Sequence, residues 1–565
     1  MAHVITQACC SDASCVEVCP VDCIRPTPDS PEYCTAEMLY IDPDTCIDCG
    51  ACVDVCPVDA IFPDDQLLPE HGRYPEINGQ YFKKHPLEPA EFEPSTAPTL
   101  PPDRLPLRVA VVGSGPAACY AATALIDQAG RSVEVEMFER LPTPWGLVRA
   151  GVAPDHPGTK AITDVFRPTV SNPSFQFHLN VEIGEHLTHD ELLAHHHAVI
   201  YAVGAFHDRR LGVVGEDLPG SHSATEFIAW YNGHPEFADL EFDLSGERAV
   251  IVGNGNVALD MARILVSAPE ELARTDIADH ALAALRKSNI QEVVVLGRRG
   301  PAQAACTNPE LLALGHLRSV DVLVDAAEAE LDEHSRAVTG RPDADPSVVL
   351  KTELVREYAQ RHATPSNKRI VLRFLTSPTE VLGTDRVTGI ALAHNEITLD
   401  SDGMPKPRAT ERTETINAGI VLRAIGSRST PVPGMPFDTA RGTIPNRNGR
   451  VVDPESGRAL PGAYAAGWIK RGPSGGIGSN KQCASETVAL LLEDFAAGRL
   501  DHPVRGRGDL NALVHERQPD VVNGLGWNAI DRAERQRGRT SGQPRRKITD
   551  VATMIGIAQG VRPPR

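Results

Sequence analysis

The sequence predicts a small α+β module at the N-terminus, followed by a larger α/β part that contains two strand–turn–helix units. Three observations lead to this fold class. Ten of the 13 cysteines fall within the first 56 residues. A β-branched run, a glycine turn and a small-residue helical pattern begin at Leu107, and a second such unit begins at Arg248. A segment with ten prolines, residues 63–106, separates the cysteine-rich part from the first unit.

Composition excludes several classes of protein. A net charge of −20 argues against a nucleic-acid partner, because phosphate backbones are bound by dense Lys and Arg. No apolar run reaches about 18 residues, so we expect no stable membrane insertion. The first ten residues have neither a basic nor an apolar stretch typical of an export signal, and we therefore expect a cytoplasmic protein. Residues 1–62 hold 11 acidic residues and one Arg, which favours docking on a basic surface, although a merely solvated acidic face is an alternative.

The cysteines carry the clearest motif of the chain. Cys46, Cys49, Cys52 and Cys56, followed by Pro57, form the C-x2-C-x2-C-x3-C-P run of bacterial two-cluster iron–sulfur proteins, in which the fourth cysteine binds the other cluster. Soft thiolates select iron–sulfur clusters, zinc or Cu(I). Zinc is disfavoured because structural zinc sites use two separated C-x2-C pairs rather than an interlocked run.

An internal repeat predicts a second cluster. The decapeptide CVEVCPVDCI, which starts at Cys15, is nearly duplicated by CVDVCPVDAI, which starts at Cys52. Two cysteines precede the first copy as neighbours, Cys9 and Cys10, and either of them is a candidate ligand. If both bind, this cluster is a second [4Fe–4S].

The first glycine turn predicts a site for FAD or NAD. Gly113 and Gly115 allow a tight turn and a close approach of the backbone, and Ala117 is small enough for the helix to pack on the strand. The diphosphate would meet the helix N-terminus, where unpaired N–H groups favour an anion. Glu139 ends the next strand, and its carboxylate would accept hydrogen bonds from ribose hydroxyls and repel a 2′-phosphate.

The second glycine turn predicts a site for NADP. It runs from Gly253 to Ala258, and the following strand ends in Arg298 and Arg299 instead of an acid. Paired guanidiniums suit a 2′-phosphate because Arg forms bidentate, charge-assisted hydrogen bonds. The alternative is a solvated strand end. A third glycine cluster, at Gly475, Gly476 and Ile477, precedes a long helical pattern and suits the polar edge of a flavin ring.

These motifs together resemble the adrenodoxin-reductase-like family of ferredoxin–NADP reductases. The resemblance covers residues 107–500 and rests on PTPWGLVRAGVAPDHPGTK, NGNVALD, GRRGPAQAA and AGWIKRGPSGGIG. The whole chain is similar to actinobacterial members that fuse a seven-iron ferredoxin to this reductase. The fold class that the resemblance implies is an α+β two-cluster ferredoxin domain followed by an α/β reductase with two dinucleotide-binding (Rossmann-like) domains.

The resemblance also implies the site residues. The residues implied to contact FAD are Ala117, Glu139, Leu147, Ile183, Trp468, Gly475, Gly476 and Ile477. The residues implied to contact NADP(H) are Arg209, Asn254, Gly255, Asn256, Val257, Arg298, Arg299, Glu310 and Gly475. The ligands implied for a [3Fe–4S] cluster are Cys9, Cys15 and Cys56, and those implied for a [4Fe–4S] cluster are Cys19, Cys46, Cys49 and Cys52.

The predicted domain order follows from these assignments. We expect a ferredoxin domain over 1–62, a proline-rich linker over 63–106, the first part of an FAD-binding domain over 107–210, an NADP-binding domain over 211–425, and the rest of the FAD-binding domain with a C-terminal tail over 426–565.

The implied activity is NADPH–ferredoxin oxidoreduction, in either direction, without a catalytic acid or base. The partner would be an electron acceptor protein, such as a ferredoxin or a ferredoxin-dependent oxygenase. The alternatives are a redox-sensing regulatory module and the electron-input subunit of a larger complex.

Overall fold

The computed structural model describes residues 2–87, 106–129 and 133–560. Within these ranges no helix combines the length and the apolar character needed to cross a membrane. The chain forms the predicted N-terminal ferredoxin domain and two larger α/β domains, each built around its own sheet.

The ferredoxin domain consists of two short antiparallel strand pairs and two single-turn helices. The elements are β1 His3–Ile5, α1 Ser14–Glu17, β2 Ile24–Arg25, β3 Tyr40–Ile41, α2 Ala51–Asp54 and β4 Ile61–Pro63. Strand β1 pairs with β4, and β2 pairs with β3. Helices α1 and α2 each carry one cysteine of the internal repeat, so the repeat is a structural one.

The structure differs from the predicted linker over residues 63–84. Two 3₁₀ turns, Asp64–Gln66 and Pro69–His71, lead into helix α3, Tyr74–Lys84. Asn78 explains why this helix packs on the ferredoxin domain: its Oδ1 accepts hydrogen bonds from the N–H groups of Ile5 and Ile41 at 3.2 and 2.9 Å. The prolines obscured the helix because Pro at the first positions of a helix is compatible with it. The rest of the predicted linker, residues 88–105, lies outside the described residues.

The first large domain begins with β5 and alternates strands and helices. Its elements are β5 Leu107–Val112, α4 Pro116–Ala129, β6 Val133–Glu139, α5 Leu147–Ala150, α6 Pro157–Ala161, α7 Thr163–Val170, β7 Phe175–Leu179, α8 His189–His195 and β8 Ala198–Tyr201. A short strand, β9 His207–Asp208, then leaves the domain.

The second large domain holds a six-stranded parallel sheet with the order β10-β18-β11-β12-β14-β13 and a three-stranded antiparallel sheet, β15-β16-β17. Its strands are β10 Ser221–Ser223, β11 Arg248–Val252, β12 Glu292–Leu296, β13 Val320–Val324, β14 Lys368–Arg373, β15 Thr376–Leu382, β16 Gly389–Leu399, β17 Pro405–Asn417 and β18 Ile420–Arg423. Its helices are α9 Ala224–Tyr231, α10 Asn256–Val266, α11 Pro269–Leu272, α12 Asp279–Leu285, α13 Asn308–Leu314, α14 Ala326–Ala329, α15 Glu333–Thr339 and α16 Pro346–Ala359.

The chain then returns to the first domain and completes its seven-stranded sheet, which has the order β20-β21-β22-β8-β5-β6-β7. The outgoing β9 pairs with the returning β19, Ser427–Arg428, so the two crossings between the domains run side by side. The added elements are β20 Asn446–Arg447, β21 Arg450–Val452, β22 Ala459–Ala465, α17 Trp468–Arg471 and α18 Ser479–Ala496.

The C-terminal tail is a helical cap on the first large domain. It contains α19 Arg507–Arg517, α20 Gly524–Ser541 and α21 Val551–Ala558. The Trp527 ring packs edge-on against Trp145, with the ring centroids 6.3 Å apart. Glu534 is fully buried and binds the guanidinium groups of Arg149 and Arg545. Much of the surface of this region is polar, and a small number of deeply buried contacts hold it in place.

The ferredoxin domain packs against both large domains. Tyr120 of α4 donates a hydrogen bond to Asp12 at 2.8 Å. On the other side, Glu37 forms an ion pair with Lys351 at 3.4 Å and accepts a hydrogen bond from the N–H of Asn308 at 2.9 Å. Both side chains of this ion pair are largely buried, so the ferredoxin domain and the second large domain pack closely there.

Candidate functional site

One cavity of the ferredoxin domain gathers the four cysteines expected for the second cluster. Cys19, Cys46, Cys49 and Cys52 line it, together with Cys23. All are free thiols. The Sγ of Cys19 accepts a hydrogen bond from the N–H of Cys23 at 3.4 Å. Four thiols around one cavity, one contributed by the other copy of the repeat, fit a [4Fe–4S] cluster.

A second cavity gathers the cysteines expected for the first cluster. Cys9, Cys15 and Cys56 line it, and Cys10 lines it as well. Backbone N–H groups donate to two of the sulfurs, from Ser11 to Cys9 at 3.4 Å and from Ala60 to Cys56 at 3.3 Å. Three thiols, two of which accept hydrogen bonds from backbone N–H groups, fit an iron–sulfur cluster, whose potential such donors tune. Cys34 stands apart from both cavities, exposed, with its thiol 3.7 Å from Gln482.

The first glycine turn lies at the N-terminus of α4. Gly113 has φ of +101°, and a Cβ there would lie 2.5 Å from the carbonyl oxygen of Ala202, so only glycine fits. A Cβ on Gly115 would meet nothing within 4 Å, which leaves space in front of the helix. An N-terminal turn with unpaired N–H groups and open space before it fits a diphosphate.

The predicted FAD residues converge on this turn. Leu147 follows Gly146, at which a Cβ would lie 2.9 Å from Gly115 Cα. Trp468 follows Gly467, at which a Cβ would lie 2.5 Å from the Cβ of Ala117. Residues far apart in sequence thus surround one helix end.

Glu139 lies at the end of β6 beside the turn. Its carboxylate accepts hydrogen bonds from Ser114 Oγ at 2.7 Å and from the N–H of Leu141 at 3.0 Å. Burial raises the pKa of Glu139, against the lowering effect of these two hydrogen bonds. Further lone pairs remain for ribose hydroxyls. Ile183 lies close by, because Val181, two residues earlier, donates its N–H to the carbonyl of Glu139 at 2.8 Å.

The third glycine cluster lies against the ferredoxin domain. Gly475 has φ of +75°. Two residues of this loop face the cysteine loop of the first cluster: Gly476, at which a Cβ would lie 3.9 Å from Cys10 O, and Gly478, whose N–H donates to the same oxygen at 2.8 Å. Ile477 lies between these two contacts and packs against the hydrophobic core of the first large domain.

The second glycine turn lies at the N-terminus of α10, and Gly255 caps the helix. A Cβ on Gly253, with φ of +113°, would collide with the carbonyl of Ala424. Asn256 Oδ1 accepts a hydrogen bond from the N–H of Thr307 at 2.8 Å. Asn254 Oδ1 accepts one from the N–H of Ala305 at 3.4 Å. The asparagines therefore hold the neighbouring loop, which leaves backbone N–H groups for a ligand. Val257, in the first turn of the helix, is 46% exposed.

Three arginines near this turn have free guanidiniums. Arg298 is exposed and Arg299 is half-buried. The Arg298 carbonyl accepts a hydrogen bond from Asn395 Nδ2 at 2.8 Å, and the Arg299 carbonyl accepts one from the N–H of Leu375 at 3.1 Å. Arg209 is exposed too, and its N–H donates to Gly426 at 3.0 Å. Within the described ranges none of the three is in an ion pair. Unpaired guanidiniums on a fixed backbone fit a 2′-phosphate and a diphosphate.

Glu310 belongs to an ion-pair network between the two large domains. Arg263 of α10 contacts Asp155 at 2.5 Å, Asp260 at 2.7 Å and Glu310 at 3.5 Å. His156 joins the network, with Nε2 2.6 Å from an Arg263 nitrogen and 3.2 Å from Asp260. Sequence reasoning missed Asp260 and Arg263, since nothing in a helical pattern marks which charged residues face a second domain.

Fold and sites together define an FAD- and NADP-type oxidoreductase with two dinucleotide-binding domains and an attached ferredoxin domain. The family model of the 4Fe-4S binding domain matches residues 39–62, and that of pyridine nucleotide-disulphide oxidoreductases matches residues 107–295. A probable ferredoxin/ferredoxin–NADP reductase of Mycobacterium leprae is 49% identical over 572 residues, which cover 100% of this chain and 99% of that protein. The chain belongs to the ferredoxin/ferredoxin–NADP reductase family.

Two further relatives match the reductase part. The mitochondrial NADPH:adrenodoxin oxidoreductase of Salvelinus fontinalis is 40% identical over 461 residues, covering 80% of this chain and 91% of that protein. The structure of Mycobacterium tuberculosis FprA in complex with NADPH aligns with a TM-score of 0.76 at 45% identity, over 80% of this chain and 100% of that one. The resemblance to adrenodoxin-reductase-like proteins that the motifs indicated is confirmed.

Proposed function

We propose that this protein transfers electrons between NADPH and the iron–sulfur clusters of its own N-terminal domain through FAD, and from there to an acceptor protein. The observation that carries the proposal is the contact between the loop Gly475–Gly478 and the cysteine loop of the first cluster, where Gly478 N–H meets Cys10 O at 2.8 Å. Because Ile477 of this loop packs on the same hydrophobic cluster as Ala117 of the first dinucleotide turn, the two kinds of site adjoin within one chain.

Each group has its own set of residues. FAD would be held by the turn at Gly113 and Gly115, by Ala117 and by Glu139, with Leu147, Ile183, Trp468 and the loop Gly475–Ile477 around it. NADPH would be held by the turn Asn254–Val257, with Arg209, Arg298 and Arg299 on its phosphates. When bound, the nicotinamide supplies a hydride, the flavin converts electron pairs to single electrons, and the clusters carry single electrons.

The chain itself contributes position and charge rather than acid–base chemistry. Arg263 bridges Asp155 of the first large domain and Asp260 of the second, so the ion-pair network holds the two dinucleotide turns in one relative position. Glu310 is part of that network, and we propose that it borders the nicotinamide. Glu37 and Lys351 hold the ferredoxin domain on the second domain in the same way.

The first cluster is proposed to be [3Fe–4S], bound by Cys9, Cys15 and Cys56. The second is proposed to be [4Fe–4S], bound by Cys19, Cys46, Cys49 and Cys52. The acceptor is proposed to be a further ferredoxin or a ferredoxin-dependent oxygenase. None of the 13 cysteines, all of which lie within the described ranges, forms a disulfide, which suits a reducing compartment and supports a cytoplasmic location.

The test is an anaerobic NADPH titration of the purified full chain, with iron, sulfide and flavin quantified. We expect flavin bleaching and cluster reduction in the same molecules, with NADH much less effective. Cys49→Ser and Cys34→Ser form a matched pair, because both thiols are exposed and only Cys49 lines a cluster cavity. Loss of iron from the Cys34→Ser variant but not from the Cys49→Ser variant, or a purified protein without flavin, would refute the proposal.

A further inference from the structure

The internal repeat extends further than its sequence identity. A shift of 37 residues places each of four residues of the first copy on a cysteine of the second: Cys9 on Cys46, Asp12 on Cys49, Cys15 on Cys52 and Cys19 on Cys56. The first copy thus reads C-x2-D-x2-C-x3-C-P. Asp12 therefore occupies in the first copy the position that Cys49 has in the second.

The backbone confirms this correspondence. Ser11 and Asp48, the residues just before the compared position, have φ of 55° and 57°. Ala13 and Gly50, the residues just after it, have φ of 63° and 75°. Non-glycine residues rarely adopt this left-handed region, so its recurrence at matching positions shows that Asp12 sits on the same backbone turn as Cys49.

The Asp12 side chain is buried in an unusual setting. It is 4% exposed and lines the cavity of Cys9, Cys15 and Cys56. Its Oδ2 accepts a hydrogen bond from Tyr120 at 2.8 Å, and its Oδ1 accepts hydrogen bonds from the N–H of Ser14 at 3.3 Å and from Ser14 Oγ. Across the described ranges no Lys, Arg or His forms an ion pair with it. A buried carboxylate is costly without a compensating cation, and three thiols facing the same cavity add to the negative charge once they bind metal.

We propose that Asp12 is the fourth ligand position of the first cluster, where its carboxylate binds a fourth, exchangeable iron. This inference deepens the proposed function, because it presupposes iron–sulfur clusters in the two cavities. A carboxylate oxygen is a harder ligand than a thiolate and holds iron in a sulfide cluster less firmly. The first cluster therefore loses its fourth iron under oxidising conditions and regains it under reducing ones.

The uptake step balances without a further reactant. One electron, from dithionite or from NADPH through the flavin, reduces the [3Fe–4S]⁺ core to [3Fe–4S]⁰. A ferrous ion then binds three cluster sulfides and one Asp12 oxygen to give [4Fe–4S]²⁺. No bond of the cluster breaks. A one-electron oxidant such as ferricyanide reverses the step: it takes one electron from [4Fe–4S]²⁺, and the cluster releases the ferrous ion and returns to [3Fe–4S]⁺.

Cys10 is the competing fourth ligand, since it lines the same cavity. The 37-residue shift places it on Ile47, which also lines its cavity but has no donor atom. The correspondence thus assigns Cys9 as the thiolate ligand and excludes Cys10.

The test compares the wild-type chain with D12C, D12N and C10A. Each protein is incubated anaerobically with dithionite and ferrous ammonium sulfate, desalted, and measured for iron per chain and for the EPR signal of oxidised [3Fe–4S]. We expect the wild type to gain about one iron on loading and to lose it on mild oxidation. D12C should retain the iron through oxidation and show no three-iron signal. D12N, which keeps the shape of the side chain, should take up none, and C10A should behave as the wild type does.

Two results would overturn the assignment: iron uptake by D12N equal to that of the wild type, or loss of uptake in C10A. A shortfall of cluster iron in all four proteins would instead contradict the proposed function, and the inference with it. A D12N protein that is folded, as judged by flavin content and the second cluster's own signal, separates the two cases.

Discussion

Gly478→Ala is the most selective perturbation of the contact between the ferredoxin domain and the reductase. Gly478 has φ of −67° and ψ of −32°, which alanine adopts freely, so the reductase backbone accommodates the change. A Cβ at this position would lie 1.9 Å from the carbonyl oxygen of Ser11, whereas ordinary contacts begin at 3.4 Å. The cysteine loop must therefore recede by about 1.5 Å, and the hydrogen bond to Cys10 stretches with it.

The structure also sets the magnitude. Overpacking of this kind costs about 1–3 kcal/mol, which lowers the ratio of docked to undocked ferredoxin domain about five- to 150-fold. Because the rate follows the docked fraction, we expect cluster reduction by NADPH, measured by anaerobic stopped-flow absorbance, to slow by up to that factor. Reduction of ferricyanide, which takes electrons directly from the flavin, should stay near the wild-type rate.

The control is Gly508→Ala, in α19, where an added Cβ would meet nothing within 4 Å. This variant should behave as the wild type does in both assays. An unchanged rate of cluster reduction in Gly478→Ala would refute the reasoning, because the loop contact would then not determine electron transfer. An equal fall in both assays would locate the damage in the flavin site instead.

Three further predictions concern the NADP site, the core and the C-terminal tail. Arg298→Ala and Arg299→Ala each remove charge-assisted hydrogen bonds of about 1.5–3 kcal/mol, so kcat/KM for NADPH should fall ten- to 150-fold while that for NADH is unchanged. Burial is the main reason that the pKa of His197 is lowered to about 4. The free energy of unfolding should therefore fall as the pH drops from about 6.5 to 4, and it should fall less steeply in His197→Asn. Glu534→Ala leaves the buried Arg149 without its carboxylate and should cost about 3–5 kcal/mol in urea denaturation.

Each of these predictions has a contradicting outcome. Equal losses with NADPH and NADH would show that the arginines do not distinguish the 2′-phosphate. The same pH dependence of unfolding in wild type and His197→Asn would mean that this ring is not the titrating group. A Glu534→Ala variant with the stability of the wild type would show that the tail does not support the first large domain.

The sequence predicted the parts of the molecule in which local pattern and chemistry coincide. Both glycine turns and the four-cysteine run follow rules that act within a few residues, and the four cysteines predicted to bind the [4Fe–4S] cluster line one cavity. Helix α3 was missed because its buried face, Tyr74, Asn78 and Phe82, is sparse and lies among prolines.

Contacts between domains were beyond prediction for a different reason. Asp12, Glu37 and Gly478 have ordinary local surroundings, and their roles depend on which surface the folded ferredoxin domain meets. The acidic excess of residues 1–62 indicated a basic partner surface, and Glu37 with Lys351 agrees with that expectation. In the ion pair of Arg73 with Glu357, however, the N-terminal part supplies the positive charge and the second large domain the negative one. Charge alone therefore does not describe the interface.

Cluster reduction within a single molecule is the central claim, and its concentration dependence tests it most directly. The full chain is mixed anaerobically with excess NADPH in a stopped-flow instrument over a wide range of protein concentrations, and cluster bleaching is followed after flavin reduction. A first-order rate constant that does not change with protein concentration is the predicted result. A rate constant proportional to protein concentration would show that electrons pass between molecules, and the docked arrangement would then not be the one that works.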